Sequence, residues 1–414
     1  MPEFLRLGFF LALRQVRRAS KWTTGLIIFV MTLTFLNLVV VSGILVGLIQ
    51  GAVEANKDYY TSDIIISKLN KKDYIEQSPQ VISIIKSLPE VHTFSPRYLS
   101  SGRLEANYKQ AVKTEDIESA GASFVGINPK AEDGLTGLSK FVIDGEYLNE
   151  NDYDKIMIGA YLLKEYFPVE SSAIQTLSNI HVGDKVRVTI GDVKREMTVK
   201  GIVKSKVDEI AYRAYFVDRQ LRDLTGRNDF NVGEISIALK PNSDPKVIKE
   251  ALLRSGVGEY ARVQTFEDAQ PKFLQDIKDT FALLGNMISS IGLVVASITI
   301  FIVIFINAIT RRKFIGILKG IGVSGKTIEA SYIFQSFFYA LAGSLIGLLL
   351  LYGLIEPAIA KHPINFPFSD GILVAPLGST GLKIFILIFT TIIAGYIPAR
   401  MIVRKNTLDS ILGR

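Results

Sequence analysis

Apolar positions along this chain fall into three long blocks and one interrupted block, separated by stretches in which apolar and polar residues alternate. No charged residue occurs from Trp22 to Val53, from Thr280 to Thr310 or from Ala330 to Ile355. Each run exceeds the roughly 20 residues a helix needs to cross the hydrocarbon layer. A fourth block, Thr380 to Ala399, is broken by Lys383, whose long stem is expected to snorkel to the headgroups and leave Ile384 to Ala399 uncharged. The pattern predicts four transmembrane helices, over 22–50, 277–310, 328–355 and 380–402.

Between the first two blocks the period shortens. Asp63 to Ser67, Ser123 to Asn128, Lys155 to Gly159, Lys185 to Ile190, Glu196 to Val203 and Glu234 to Leu239 read as strands, several with strict alternation. Pro79 to Ser87 and Lys246 to Arg254 carry helical spacing, the second after a Pro-Asn-Ser-Asp-Pro turn. The expected architecture is a membrane α-helical protein with an α+β extracytoplasmic domain over 51–276, in one piece or as two subdomains, large enough for its own core. Thr265 to Phe281 keeps helical spacing into the second span, which suggests a stalk that carries movement in the membrane to that domain.

Charge orients the spans. Arg6, Arg14, Arg17, Arg18 and Lys21 precede the first; Arg311, Arg312, Lys313, Lys319 and Lys326 separate the second and third; Arg400, Arg404, Lys405 and Arg414 follow the fourth. Lys and Arg are retained on the cytoplasmic side, so both termini are expected in the cytoplasm of a multi-pass protein of the cytoplasmic (inner) membrane. Residues 51–276 hold 30 Lys and Arg against 34 Asp and Glu, a net −4, so the chain's formal +7 leaves +11 beside the spans. The basic excess is thus a topology signal, and no nucleic-acid partner is expected. Residues 1–21 read as a cytoplasmic elbow: Phe4, Leu5, Phe9, Leu13 and Val16 form one helical stripe suited to the inner leaflet, with a plain extension of the first span as the alternative. The apolar run is too long for a signal peptide and is read as a retained anchor.

Candidate chemistry is sparse. The chain has no cysteine, and His92, His181 and His362 lack ligand spacing, so neither a metal nor a catalytic constellation is expected. Asn149 to Asp154 is acidic, but it lacks the glycine and closing glutamate of a calcium loop and reads as a solvated turn. Gly43, Gly47 and Gly51, and Gly343 with Gly347, form GxxxG series that favour contact with a second copy of the chain over packing within it. Asn37, Asn286 and Asn307, polar residues at lipid depth, are read as helix-packing groups, with the lining of a path through the membrane as the alternative. Gly320 to Thr327 (GIGVSGKT) fits the P-loop pattern, but it sits in a short loop between spans with no room for a nucleotide-binding domain around it.

The same segment supports another reading. Arg311 to Ser324, RRKFIGILKGIGVS, resembles the signature between the second and third membrane helices of FtsX-like, MacB-like ABC permeases, a family that includes lipoprotein-releasing permeases. Gly395-Tyr396-Ile397-Pro398-Ala399-Arg400, with Asp409 to Leu412, resembles the family's C-terminal motif, and Leu11 to Lys21 its N-terminal elbow. Phe124 to Ile127, Asp144 to Leu148, Ile158-Gly159, Val182 to Asp184 and Val199 to Val203 follow in the order of its periplasmic core domain. The resemblance implies four parts: the elbow (1–21), the first span (22–50), the core domain (51–276) and a permease domain (277–414) with a coupling loop at 311–326. It further implies that the loop docks on a separate ABC ATPase through Arg311, Arg312, Lys313, Ile315, Gly316, Leu318, Lys319, Ile321 and Gly322. Ile315, Leu318 and Ile321, at i, i+3 and i+6, would form one apolar edge. Phe314 and Gln335 stand where the family usually has Glu. The implied protein is a non-catalytic permease subunit that binds no cofactor. ATP and magnesium would lie on the partner ATPase, and a second permease copy or paralogue and membrane lipids would complete the assembly. Movement of the outer domain would export or extract a lipoprotein, lipid, peptide or drug. Alternatives are an FtsX-type subunit that regulates cell-wall hydrolases without transport, and a membrane-anchored sensor.

Overall fold

The computed structural model describes residues 3–109, 117–167, 175–270, 272–366 and 369–404, without the side chains of 272–274 and 369–371. The segment Asp409 to Leu412 of the C-terminal motif lies outside the described residues. In chain order the helices are α1 (Glu3–Arg18), α2 (Lys21–Leu36), α3 (Ser42–Asn56), α4 (Ser78–Ser87), α5 (Pro129–Thr136), α6 (Asp208–Ala211), α7 (Asp218–Leu224), α8 (Pro245–Arg254), α9 (Phe266–Ala269), α10 (Lys272–Thr310), α11 (Arg312–Gly320), α12 (Gly325–Leu350), α13 (Glu356–Lys361) and α14 (Leu377–Val403). The strands are β1 (Ile64–Lys68), β2 (Val91–Ala106), β3 (Glu118–Ile127), β4 (Val142–Gly145), β5 (Lys155–Gly159), β6 (Lys185–Ile190), β7 (Val193–Val203), β8 (Arg213–Val217), β9 (Glu234–Leu239), β10 (Ala261–Thr265), β11 (Ile364–Phe366) and β12 (Ser369–Gly371). The chain divides into a helical unit, Met1–Gln50 with Gln275–Asn365 and Asp370–Arg414, and a sheet unit, Gly51–Leu274 with Phe366–Ser369.

Among the described residues four helical segments are long and apolar enough to cross a membrane: Lys21–Thr61, Gln275–Thr310, Gly325–Lys361 and Leu377–Val403. Their outward faces are apolar too. Phe29, Ile291, Ile298, Leu349 and Phe385 are all exposed, which suits lipid and would be costly in water. Inside the unit, α12 packs on α1, α2 and α14, and small residues set the approach. A Cβ at Gly343 would stand 2.4 Å from the Cβ of Met31, one at Gly347 2.2 Å from the Phe35 ring, and one at Gly395 1.9 Å from Ser336 Oγ. A Cβ at Gly43 would lie 2.8 Å from the Val374 carbonyl oxygen and one at Gly47 1.8 Å from that of Ile372, and the Val374 amide donates to the Gly43 carbonyl at 3.2 Å. Both GxxxG series are therefore filled from within the chain, which corrects their assignment to a second copy; Gly51, half-buried, lies in the sheet unit. The elbow behaves likewise. Phe4, Phe9 and Leu13 of its stripe are exposed, while Gly8 and Ala12 bury against α12.

The polar residues of the spans divide. Lys383 does not snorkel; its ammonium donates to the hydroxyl of Ser42, which in turn donates to the Leu38 carbonyl at 2.9 Å. Asn37 fits the packing role, its side-chain oxygen set against Gly292, where a Cβ would approach to 2.6 Å. Asn286 instead lies on an exposed face of α10, and Asn307 is half-buried. The stalk is interrupted: α9 ends at Ala269, Gln270 is extended and α10 starts at Lys272, because a residue that precedes a proline is driven out of the helical region.

The sheet unit has one ten-stranded sheet, in the order β10-β1-β9-β2-β3-β8-β5-β7-β4, with β6 pairing both β2 and β7. Strands β2, β3, β8, β5, β7 and β6 thus pair in a closed ring. The long β2 serves both halves: Val91 to Arg97 pair with β9, and Tyr98 to Ala106 with β3. One hydrophobic core runs through both halves, from Ile64 and Ile66 of β1 to Phe124 of β3 and Phe216 of β8. Local signals set the ends of the helices. The Asn128 side chain caps α5 ahead of Pro129, Asp244 caps α8 ahead of Pro245, and Thr265 with Asp268 forms a capping box on α9.

The close contacts of α12 generate a test. Gly343→Val is expected to cost about 1–3 kcal/mol by overpacking and to lower the thermal unfolding midpoint of the full chain in detergent. Gly381→Val, where a Cβ meets open space, should leave it close to wild type.

Candidate functional site

The coupling segment is a helix in its own right. Arg311 breaks from α10 with φ −99° and opens α11. At the other end Gly322, with φ +95°, takes the left-handed conformation. Its amide donates to the Lys319 carbonyl at 3.1 Å, and that of Val323 donates to Leu318 at 2.9 Å. This is the paired 5→2 and 6→1 pattern that closes a helix at a glycine. Leu318 and Val323 then pack together on the bundle core.

The predicted docking edge is rotated. Ile315 and Gly316 are buried, and Leu318 is half-buried against the core, so they hold α11 to the bundle. Of the expected edge only Ile321 faces outward, 73% exposed, and it is joined by Phe314 at 69% and Ile317 at 52%. The outward apolar positions therefore run i, i+3, i+7, with Lys313 exposed beside them. Arg311 and Arg312 are half-buried, and Lys319 reaches across to donate to the Val403 carbonyl at 3.0 Å. Sequence spacing contained both edges, since α11 is apolar on two sides, but it could not tell which one packs inward.

The P-loop-like stretch has no phosphate-loop geometry. A helix, α11, precedes it where a strand is required, and the Ser324 side chain is spent as the N-cap of α12, accepting from the Thr327 amide at 3.3 Å. The C-terminal motif is structural: Gly395, Pro398 and Ala399 are buried in the bundle, while Arg400 is exposed and lies 5.6 Å from the Tyr396 ring centre.

A second site lies in the sheet unit. Arg97 of β2 is 2% exposed and makes a two-pronged contact with Glu132 of α5, from Nε at 2.8 Å and Nη2 at 2.7 Å. Its Nη1 donates to Glu234 of β9 at 3.0 Å, and Nη2 also donates to the Tyr60 carbonyl at 3.0 Å. Arg213 of β8 donates to Glu234 at 2.8 Å and to the Tyr60 hydroxyl at 2.9 Å; that hydroxyl donates to Glu234 at 3.0 Å. The Tyr60 ring centre lies 5.1 Å and 4.7 Å from the two guanidinium carbons. Burial alone would push the Glu234 carboxyl up, but Arg213 and Arg97 outweigh it and hold it at about 2. Burial, followed by the Glu234 charge, pushes the Tyr60 phenol above its ordinary value. With both arginines permanently charged, Glu234 held ionised and no proton to exchange near neutral pH, this cluster ties elements together and does no acid–base chemistry. Asp152, in the stretch expected to be a solvated turn, is instead buried; burial opposes its charge, but Lys200 at 2.6 Å and the Asn149 amide hold it at about 2. No group of three or more metal-ligating side chains occurs among the described residues.

Residues 286–407 match the FtsX-like permease C-terminal family. An uncharacterized ABC transporter permease of Methanocaldococcus jannaschii is 26% identical over 278 residues, which is 65% of each chain. The macrolide export ATP-binding/permease protein MacB of Pasteurella multocida is 28% identical over 184 residues, 43% of this chain and 27% of that one. The chain thus spans less than two thirds of either relative. Among solved structures, the periplasmic region of MacB from Actinobacillus actinomycetemcomitans aligns with a TM-score of 0.34 and 16% identity, over 52% of this chain and 94% of that one. The extracellular domain of the transporter YknZ from Gram-positive bacteria aligns with 0.33 and 17%, over 49% and 100%.

The arginine cluster makes two predictions for the full chain. Arg97→Met strands Glu132 as a buried charge and leaves Glu234 with Arg213 alone, so it should cost about 3–5 kcal/mol and raise amide hydrogen exchange in β2 and β9. Because Glu234 is held at about 2 against an ordinary 4.5, its stabilising contribution is complete above pH ~4.5 and lost as pH falls towards ~2. A thermal midpoint that stays level across that window would contradict the assignment.

Proposed function

We propose, from the match of residues 286–407 to the FtsX-like permease C-terminal family, that the chain is the membrane subunit of an ABC transporter, with its sheet unit outside the cytoplasm. The observation that carries the proposal is α11: a short basic helix, clasped on one side by the bundle, that presents Phe314, Ile317 and Ile321 outward. An exposed apolar triad costs free energy unless another surface covers it, and its basic neighbours suit an acidic or polar groove. The partner we propose is an ABC ATPase subunit that holds the ATP and magnesium.

In this reading ATP-driven closure of the ATPase pair pulls on α11, and the pull enters the bundle through Ile315, Leu318 and the Lys319 contact with Val403. A second permease copy or paralogue completes the transporter. The work is movement of the sheet unit to export or extract a lipid, lipoprotein, peptide or drug. The relatives named for macrolide export favour an exporter over a subunit that only regulates wall hydrolases.

The test is affinity purification from the native membrane. Phe314→Asp and Ile317→Asp should each abolish co-purification of an ATPase while leaving the chain inserted in the membrane. Leu318→Asp should instead disturb the bundle and lower the yield of folded chain. Undiminished ATPase recovery with both outward variants would sink the docking claim.

A further inference from the structure

Between α1, α11 and α12 the helical unit has a partly open pocket of about 510 Å³, in which Arg14 and Arg18 are exposed and Arg311 is half-buried. Three arginines line it: Arg14 and Arg18 from α1, and Arg311 from the α10–α11 junction. Elsewhere in the wall stand Leu11, Phe314, Ile315, Leu318 and Ile328, so the cavity joins a concentrated positive charge to an apolar surface. Among the described residues none of the three guanidinium groups has a carboxylate within ion-pair distance. In the sheet unit, by contrast, both buried arginines, Arg97 and Arg213, are matched to carboxylates.

We propose that this cavity is a binding site for one anionic phospholipid, its phosphate held by Arg14, Arg18 and Arg311 and its upper acyl segment against Leu318 and Ile328. Guanidinium groups offer planar paired donors that match phosphate oxygens, and basic pockets between membrane helices on the cytoplasmic side bind anionic headgroups. Two observations favour a lipid over a soluble phosphate. The lining is largely apolar, which a free phosphate would leave uncovered, and the neighbouring face of α1 carries exposed Phe9 and Phe10, as a helix in contact with acyl chains does. A lipid there would lie against Phe314 at one side of α11 and fix the angle at which Ile317 faces outward. The inference rests on the membrane reading proposed above, but not on an ATPase partner.

The test uses the full chain without partner, purified in neutral detergent, with bound lipid counted by native mass spectrometry against phosphatidylglycerol and phosphatidylcholine. Wild type should retain one phosphatidylglycerol with saturable affinity and no comparable phosphatidylcholine. Arg14→Gln with Arg311→Gln should weaken that binding roughly 30-fold. Arg17→Gln with Lys21→Gln, which removes the same charge from exposed positions outside the cavity, should leave it within about twofold. Arg14→Lys with Arg311→Lys keeps the charge while removing the paired donors, and should bind measurably more weakly even if the glutamine pair fails to fold. Equal loss in the off-site control, no headgroup preference in wild type, unaltered binding in the lysine pair, or full displacement by inorganic phosphate would each overturn the lipid site. None of these readouts depends on whether an ATPase docks.

Discussion

Backbone approach at α12 is the constraint on which the helical unit turns. In hydrocarbon no hydrophobic force draws helices together, so association relies on packing and on the few polar contacts that close approach permits. Gly343 and Gly347 bring α12 against Met31 and Phe35 of α2, and the Thr32 hydroxyl donates to the Gly343 carbonyl at 3.3 Å. Gly395 admits Ser336 at the α12–α14 contact, and Gly8 admits Ala330 of α12 at the elbow. With α12 fixed on three sides, its N-terminal end is fixed too. There Ser324 caps the helix, Val403 packs beside Gly325 and Lys319 binds the Val403 carbonyl. The orientation of α11, and so the surface it presents, follows from contacts 20 or so residues further along the same helix.

Strand β2 has the corresponding place in the sheet unit. It pairs with β9 through its first half and with β3 and β6 through its second, so it belongs to every part of the sheet except the far edges. Arg97 sits at the change of partner, and its charge is answered from α5, β9 and the Tyr60 carbonyl. A buried ion pair gains little over an apolar replacement but is costly to break on one side. The cluster is therefore better understood as specifying which elements meet than as adding stability.

Much of this was legible in the sequence where the environment imposes a single demand. Lipid tolerates no charge, so the uncharged runs marked the helices; alternation marked Lys155–Gly159, Lys185–Ile190 and Glu234–Leu239 to the residue. Strand β2 escaped because VHTFSPRYLSSGRLEA carries Pro96, Arg97, Gly102 and Glu105, and what makes them tolerable lies far away: Glu132 and Glu234 for Arg97, and Arg187 for Glu105. The glycine series showed that some backbone comes close but not whose. Ile372 and Val374 of the same chain fill the space a second subunit was expected to take. The α11 segment was found by its resemblance, while its outward face was not, because two apolar edges on nine residues are equivalent until the bundle occupies one.

The arginines divide along the same line. Where the counterion is protein, as for Arg97 and Arg213, each guanidinium meets carboxylates placed by distant strands, and the pairing is complete within the sheet unit. Where no carboxylate among the described residues lies within ion-pair distance, as for Arg14, Arg18 and Arg311, the side chains share one pocket whose remaining wall is largely apolar, with Gln15, Ser331 and Tyr332 as its polar members. On the proposed topology positive-inside retention would account for basic residues here, but retention needs only charge near a span. It does not require three cations from two separate segments to share one space, against their mutual repulsion. An anion that brings hydrocarbon with it would suit both the shared charge and the apolar part of the lining.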